Sequence, residues 1–553
     1  MLWETISVVR DLPRLHEIAT IMIRYGWGDM VRVLGIGTVL ERAGRILHWQ
    51  TTSEIDQLDP AVRIRRAMEE LGPTFVKLGQ LFATRVDMFP PAWIAEFEKL
   101  QSHVPPVDFV TLEPYLHVAL GMPVNEAFTD FDPVPFAAAS VAQVHRAKLP
   151  DGTPVILKVR RPDIEKKIEA DLRIMQHIAR LAEHEIPDVH RYQPIMMLAQ
   201  FRRSLRRELD LLMEAHNIDR FRTNFLGDAS VHIPRVYWEH TSEILNVQEE
   251  LRGIPGTHLN DALAAGLDLQ VLAARGADAV LKMILVHGYF HADPHPGNVI
   301  YLPGNTVGII DFGMVGRLTA YRRNQIVDLL DALARKDEEG MLAVLLDWTG
   351  DGEVDEARLG YDVSELVFSY DNLQLKDVKL GTLLTDITAI IRDNALVLPA
   401  DLALLFKALI TLEGLGQQLD PTFHMVDHLT PFVRDVIAQR YQPAALIKRG
   451  RKSLKEALEV VTGLPRDLAR LMREARRGRL RIDLDLKRLD QFGQQLDRAS
   501  SRITMGILTA SLVIGSSIVM TVEGWRFLGI LGFLLAFLNS LWVIFSIWRS
   551  GKH

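Results

Sequence analysis

The chain has no cysteine among its 553 residues, which removes disulfides, thiolate metal sites and cysteine nucleophiles together. Burial and hydrogen bonds alone must hold the fold, and nothing marks an oxidising compartment. It also lacks the positive excess of a general nucleic-acid binder. Lys and Arg number 63 against 70 Asp and Glu, a net charge of -7, so no nucleic-acid partner is expected. The opening residues, MLWETISVVRDLPRLHEI, carry no unbroken apolar run ending in a small-residue cleavage site. They read as an amphipathic helix rather than a secretory signal. What the chain has is length, enough for several domains with ample core material.

The most informative stretch is His287 to Gly316, HGYFHADPHPGNVIYLPGNTVGIIDFGMVG. Asp293 stands five positions before Asn298, and Asp311 opens an Asp-Phe-Gly. In a protein kinase the catalytic-loop Asp faces the attacking hydroxyl, while the Asn and the Asp of Asp-Phe-Gly hold Mg²⁺ against the nucleotide phosphates. Asn298 to Leu302 and Val307 to Asp311 read as two short strands joined by Pro303-Gly304-Asn305, a hairpin that brings Asn298 and Asp311 to one end. Zinc is the competing reading, because His291 and His295 are four apart. Pro294 and Pro296 forbid the helix that would put both imidazoles on one face.

Upstream, apolar residues recur at three and four from Ile18 to Leu34 (Ile18, Ile21, Met22, Tyr25, Met30, Val33, Leu34). They predict helices lying on a partner or membrane surface, with ordinary domain packing as the alternative. In the helix begun by Gly72-Pro73, Lys77 and Gln80 share one side with Gly79 between them. Glycine costs a helix about 1 kcal/mol relative to alanine, so a close backbone approach at Gly79 would explain it; composition alone favours a solvated Lys77. Val141, Gln143 and His145, then Val155, Leu157 and Val159, alternate about Pro150-Asp151-Gly152, which predicts a β-hairpin. Lys158 lies near the end of its second strand, where a kinase places the Lys that reaches the α/β-phosphates. Three acids in a following helix, Glu208, Asp210 and Glu214, could pair with it. Glu214 is the expected partner. Where Gly-x-Gly-x-x-Gly would be expected, the chain has Ala137-Ala138-Ala139-Ser140, so phosphate must be held differently, by backbone N–H groups and the Ser140 hydroxyl. Glu249 to Gly253 suits a hinge between lobes. Beyond Gly316 the chain turns helical with little room for an activation loop, and Ala292 stands where His-Arg-Asp kinases have Arg.

Lys448 to Lys487 is strongly basic and either meets anionic headgroups or is a solvated helix. Ile503 to Val522 and Phe527 to Trp548 contain no charged residue, and about 20 residues cover a hydrocarbon core. With Glu523-Gly524-Trp525-Arg526 between them they predict a membrane hairpin. Arg498, Arg502, Arg549 and Lys552 at its outer ends put both termini in the cytoplasm. Ser511/Gly515 and Gly532/Ala536 allow close helix contact, including a homodimer.

Together Lys77-Leu-Gly-Gln80, Ala137 to Ser140, Glu208-Leu-Asp210, His291-Ala-Asp293-Pro-His-Pro-Gly-Asn298 and Asp311-Phe-Gly313 resemble the UbiB family of atypical protein-kinase-like ATPases, associated with ubiquinone biosynthesis. The resemblance implies an α+β, protein-kinase-like two-lobed fold with an N-terminal helical extension carrying the Lys-x-Gly-Gln motif and a C-terminal transmembrane helical hairpin. The expected divisions are amphipathic helices at 1–54, the extension at 55–125, N-lobe at 126–253, C-lobe at 254–450, basic helices at 451–502 and spans at 503–548. It implies ATP and Mg²⁺ as cofactors. Phe136, Ala137, Ala138, Ala139, Ser140, Val144, Lys158 and Glu249 would bind the nucleotide, Asn298 and Asp311 the metal, and Asp293, Lys158 and Glu214 would be catalytic. By the same likeness Lys77 and Gln80, with Gly79 between, meet Glu208 and Asp210. Expected partners are membrane lipid, quinone precursors and other quinone-biosynthesis proteins at a bacterial inner membrane. A small-molecule kinase of the aminoglycoside or choline type and a nucleotide-sensing scaffold are the alternatives.

Overall fold

The structure is a computed structural model. It describes residues 7–42, 57–85, 88–100, 105–185, 193–349, 354–370, 378–394 and 396–440 as continuous stretches, with single residues or short runs at 44, 47, 55, 507–511, 513–518, 530, 534, 535 and 538. The chain divides into two units, Met1–Ala445 and Leu446–His553.

Strand β1 (Ala137–Ala138), β2 (Ala142–Lys148) and β3 (Pro154–Arg160) form an antiparallel sheet that β5 (Leu245–Glu249) completes, in the order β1-β2-β3-β5. The period-two pattern explains its two faces. Val155, Leu157 and Val159 of β3 join Leu245 and Val247 of β5 in a core with Leu112, Leu116 and Phe128, each such burial contributing about 1.5–3 kcal/mol. On the opposite face Val144, Lys158 and Asn246 stand abreast, each directly across from the next. Strand β4 (Val231–His232) crosses to a second sheet, β4-β9-β8-β6, made with β6 (Ile254–Pro255), β8 (Val299–Leu302) and β9 (Thr306–Ile309). The β8–β9 turn carries Gly304 at φ 75° and Asn305 at φ 58°, the left-handed conformations these residue types tolerate. Strand β7 (Tyr289–His291) pairs with β10 (Val315–Arg317).

The N-terminal helices pack inward rather than onto an outer surface. Leu15, Ile18, Ile21, Met22, Val31 and Leu34 are buried in one cluster with Ile168 and Leu172 of the helix Ile164–Glu185 and Phe201 and Leu205 of the helix Pro194–Leu209. Arg14 meets Asp171 at 2.6 Å and Arg173 meets Asp11 at 2.7 Å across this packing. Of the stripe read from the sequence, Met30 and Val33 stay exposed. The partner surface expected for the first helix is therefore another part of the same chain.

Helices after residue 320 share the largest core with the helices Leu211–Asn224 and Leu269–Leu281 and the second sheet. Among the described residues one helix, Ala400–Leu419, is long and apolar enough to cross a membrane, but 61% of it lies buried inside the protein. Its hydrophobicity serves the core. In the second unit the described part of the expected spans includes an apolar helix at Ile507–Ile518 and exposed Ile507, Leu508, Ile514, Ile518, Leu534 and Leu538. The rest of the two spans and the basic run from Lys448 to Lys487 lie outside the described residues.

Candidate functional site

Lys158 sits on the cleft face of β3, and the chain brings two acids to it. The helix Leu211–Asn224 begins afresh after Asp210, whose extended backbone and carboxylate, accepting from Leu212 N–H at 3.0 Å, cap it. That break sets Glu214 one turn in and buried. The Lys158 ammonium donates to Glu214 Oε1 at 2.8 Å and to Asp311 Oδ1 at 3.1 Å. The three acids thus divide their tasks: Glu214 meets Lys158, Asp210 caps a helix, and Glu208 pairs with the Lys77 ammonium.

Asp311 adopts φ 59°, a left-handed conformation for a non-glycine residue. Phe312 beside it is fully buried, with Phe221 at 4.7 Å and His291 at 5.4 Å between ring centres, and its carbonyl accepts from Asn217 Nδ2 at 2.9 Å. This anchored ring fixes the carboxylate in its unusual backbone position. The Lys158 charge holds Asp311 well below the usual carboxylate range, outweighing burial, and the Lys77 charge adds to the effect. Burial lifts Glu214 to about 7 against the opposing pull of Lys158. For Lys158 itself burial works downward, but Asp311 and Glu214 outweigh it and raise it above an ordinary lysine. The shorter contact is to Glu214, yet Glu214 is the more deeply buried, 5% exposed against 50% for Asp311, so Asp311 holds its charge more firmly.

The loop after β7 is tied to Asp311 through one imidazole. His291 Nε2 donates to the Asp311 carbonyl at 2.9 Å, and its Nδ1 accepts from Asp293 N–H at 3.1 Å. Burial holds it below the ordinary histidine value, and these two bonds require the neutral ring. Neither nitrogen is left for zinc. Asn298 Nδ2 donates to the Asp293 carbonyl at 3.1 Å, and Ile310 N–H donates to the Asn298 carbonyl at 2.9 Å. The β8–β9 hairpin therefore holds Asn298 beside the residue preceding Asp311. Asp293 Oδ1 accepts from Lys407 Nζ at 3.0 Å. Burial pushes the Asp293 carboxyl up, but Lys407 and His295 outweigh it and leave it lowered. Lys407 had no signal in the sequence reading: it lies 114 positions away on the apolar helix Ala400–Leu419.

Other expected residues are placed differently. Ala139 N–H is spent on the Ala142 carbonyl and Phe136 N–H on the Val144 carbonyl, while Ser140 is buried. As it stands, the alanine loop bonds to itself, and those two amides do not point to phosphate. Ala137 and Ala138 pair with Val144 and Gln143 of β2. The Phe136 ring lies under the Arg146 guanidinium at 4.3 Å. The Glu249 carboxylate is occupied, accepting from His232 Nε2 and from Arg235 N–H, both at 3.0 Å. Gln80 donates to the Leu100 carbonyl at 3.0 Å. A Cβ on Gly79 would come within 2.1 Å of Leu100 and 2.8 Å of Met68, the close approach its presence in a helix suggested.

A cleft with a lysine between two carboxylates, an oriented asparagine and a loop aspartate is built for a polyanion and a cation. A family model described as "ABC1 atypical kinase-like domain" matches residues 99–345. A protein of Aeromonas salmonicida named "Probable protein kinase UbiB" is 32% identical over 515 residues, covering 92% of this chain and 93% of that one. The chain belongs to the ABC1/UbiB kinase-like family. Two further family models, "UbiB helical domain" and "ABC1/UbiB kinase-like C-terminal domain", match residues 363–424 and 487–549. An "Uncharacterized protein in hydrogenase 1 5'region" of Clostridium pasteurianum is similar at 31% identity, covering 97% of this chain and 99% of its own. "Uncharacterized protein sll1770" of Synechocystis sp. is 31% identical over 89% of this chain and 84% of its own. Membership in this kinase-like family implies nucleotide binding, and it places Lys407 within the stretch that the UbiB helical model matches.

Proposed function

We propose that this UbiB-family chain is a membrane-anchored, kinase-like ATPase that serves quinone biosynthesis. The observation that carries the reading is the Lys158 ammonium held at 2.8 Å from Glu214 and 3.1 Å from Asp311, beside an Asn298 amide oriented by the Asp293 carbonyl. Glu214 fixes the ammonium, which would meet the α/β-phosphates. The donor set fits Mg²⁺. Among the described residues no three acids or histidines gather as a self-sufficient metal site, but Mg²⁺ is commonly held by one or two protein oxygens together with substrate phosphates. Asn298 and Asp311 are such a pair. When bound, the ion would neutralise charge on the phosphoryl oxygens.

The chain's own residues then divide the work. Lys158 would bind and orient phosphate, and Asp293 would orient the attacking water or hydroxyl and take its proton. Lys77, paired with Glu208 and close enough to lower Asp311, would sense the charge of the nucleotide through the helix Pro73–Phe82. Two spans at 503–548, with cytoplasmic termini, would anchor the chain at a bacterial inner membrane near lipid-like quinone precursors and other enzymes of that synthesis.

Full-length protein in nanodiscs with Mg·ATP tests the activity. We expect phosphate release without any added acceptor, and its loss in Asp311→Asn. Turnover that appears only with a small hydroxylated acceptor would support a small-molecule kinase instead, and binding without turnover a nucleotide-sensing scaffold.

A further inference from the structure

Lys407 belongs to no motif, yet it touches the loop aspartate. We propose that Lys407 is the positioning cation of the transfer site, holding the Asp293 carboxylate so that one oxygen is occupied and the other faces the nucleophile. The inference rests on the reading of Asp293 as the residue that orients the attacking group.

Four observations carry it. First, the loop from His291 to Asn298 contains no lysine or arginine. Its own nearest candidate, His295 Nε2, stands 3.6 Å from Asp293 Oδ2 and is charged only when protonated. Second, Lys407 Nζ donates to Asp293 Oδ1 at 3.0 Å, leaving Oδ2 as the freer oxygen. Third, the pair is reached by solvent, with side chains 19% and 31% exposed, because Lys407 lies on the less buried stripe of a helix whose other faces, with Phe406 and Leu409, are in the core. Fourth, the helix bearing it is rigidly held. Glu413, one helix face further on, accepts from Leu380 and Gly381 N–H at 3.0 and 2.6 Å and so caps the neighbouring helix Leu380–Asp393. A charged group on a fixed element positions a partner better than one on a loop.

The surroundings of the ammonium include one further charge. Glu98, at the end of the helix Pro91–Glu98 in the N-terminal extension, is raised by burial and lowered in turn by the Lys407 charge; its side chain remains reached by solvent. Lys407 thus faces Asp293 from the loop and Glu98 from the extension, while Asp293 faces Lys407, His295 and His291. The Lys407 charge thus acts on a carboxylate of the loop and on one of the extension.

The test compares Lys407→Met and Lys407→Arg with wild type, using full-length protein in nanodiscs. Nucleotide affinity comes from titration calorimetry, kcat and KM from phosphate release, and thermal midpoints from Lys407→Met, Asp293→Asn and the double variant. A misplaced reacting group costs on the order of 100-fold in rate, so Lys407→Met should lower kcat by about that factor, while KM and affinity stay within about twofold. Lys407→Arg should restore most of the rate. The double variant should melt no lower than the worse single variant. An unchanged kcat in Lys407→Met, or parallel losses of affinity, midpoint and rate that arginine does not rescue, would overturn the proposal in favour of a structural strut. If wild type hydrolyses no ATP, the ATPase reading fails by itself. The melting cycle then decides whether Lys407 holds Asp293, and additive losses would refute it.

Discussion

His145 illustrates how single residues of this chain are committed to one protonation state. It is fully buried on β2, its Nδ1 donates to the Asp132 carbonyl at 2.9 Å, and its Nε2 accepts from Gln143 at 3.0 Å. Gln143 in turn exchanges two hydrogen bonds with the Val107 backbone, at 2.9 and 3.1 Å, so this chain of contacts ties the segment before the helix Phe109–Leu120 to the sheet. Burial lowers the imidazole below its ordinary value, with Asp132 opposing. An unfolded histidine takes its proton near about pH 6.5, before the folded one does. The associated stability is therefore present above that pH and is lost as pH falls toward the folded value. We expect the melting midpoint to drop between pH 7.5 and 5.5, and His145→Asn, though less stable, to show a smaller drop. Equal drops in the two proteins would exclude His145 as a contributor.

At the scale of elements, the pairing of β7 with β10 carries the site, because β7 leads into the Asp293 loop and β10 follows Asp-Phe-Gly. Gly316 lies opposite Phe290, and a Cβ there would sit 2.1 to 2.7 Å from three atoms of the Phe290 ring, which is fully buried. An aromatic ring in a packed core has nowhere to turn. Overpacking of this kind costs about 1–3 kcal/mol, so Gly316→Ala should lower the thermal midpoint by a few degrees and reduce nucleotide turnover with it. A wild-type midpoint would show that the ring has room.

The same scale explains what could be read in advance. The hairpins at Pro150 to Gly152 and Pro303 to Asn305 were visible because residues suited to left-handed backbone stand between alternating strands. Glu214 could be chosen as the partner of Lys158 because a kinase-like strand needs an acid from a helix that follows it. Asp210 as a cap could not be foreseen, since no proline or glycine marks the break between Leu209 and Leu211. The occupied Glu249 carboxylate depends on the segment after β4, Arg235 and Val236, lying beside β5, and Lys407 on a helix brought across by tertiary packing alone. Contacts made over such distances leave no local pattern.

Across the whole molecule, three separate stretches meet at one cleft. The extension brings Lys77 to Glu208, the sheet brings Lys158, and the helical half brings Lys407 to Asp293. Cations from all three face carboxylates of the kinase-like core, an arrangement that a magnesium nucleotide would both enter and rearrange. Titration calorimetry of full-length protein in nanodiscs, with ATP in the presence of Mg²⁺ or of EDTA, measures this directly. Binding should require the metal and should weaken by at least about tenfold, about 1.4 kcal/mol, in Asp311→Asn. ATP binding of equal strength in EDTA, or in Asp311→Asn, would contradict the account.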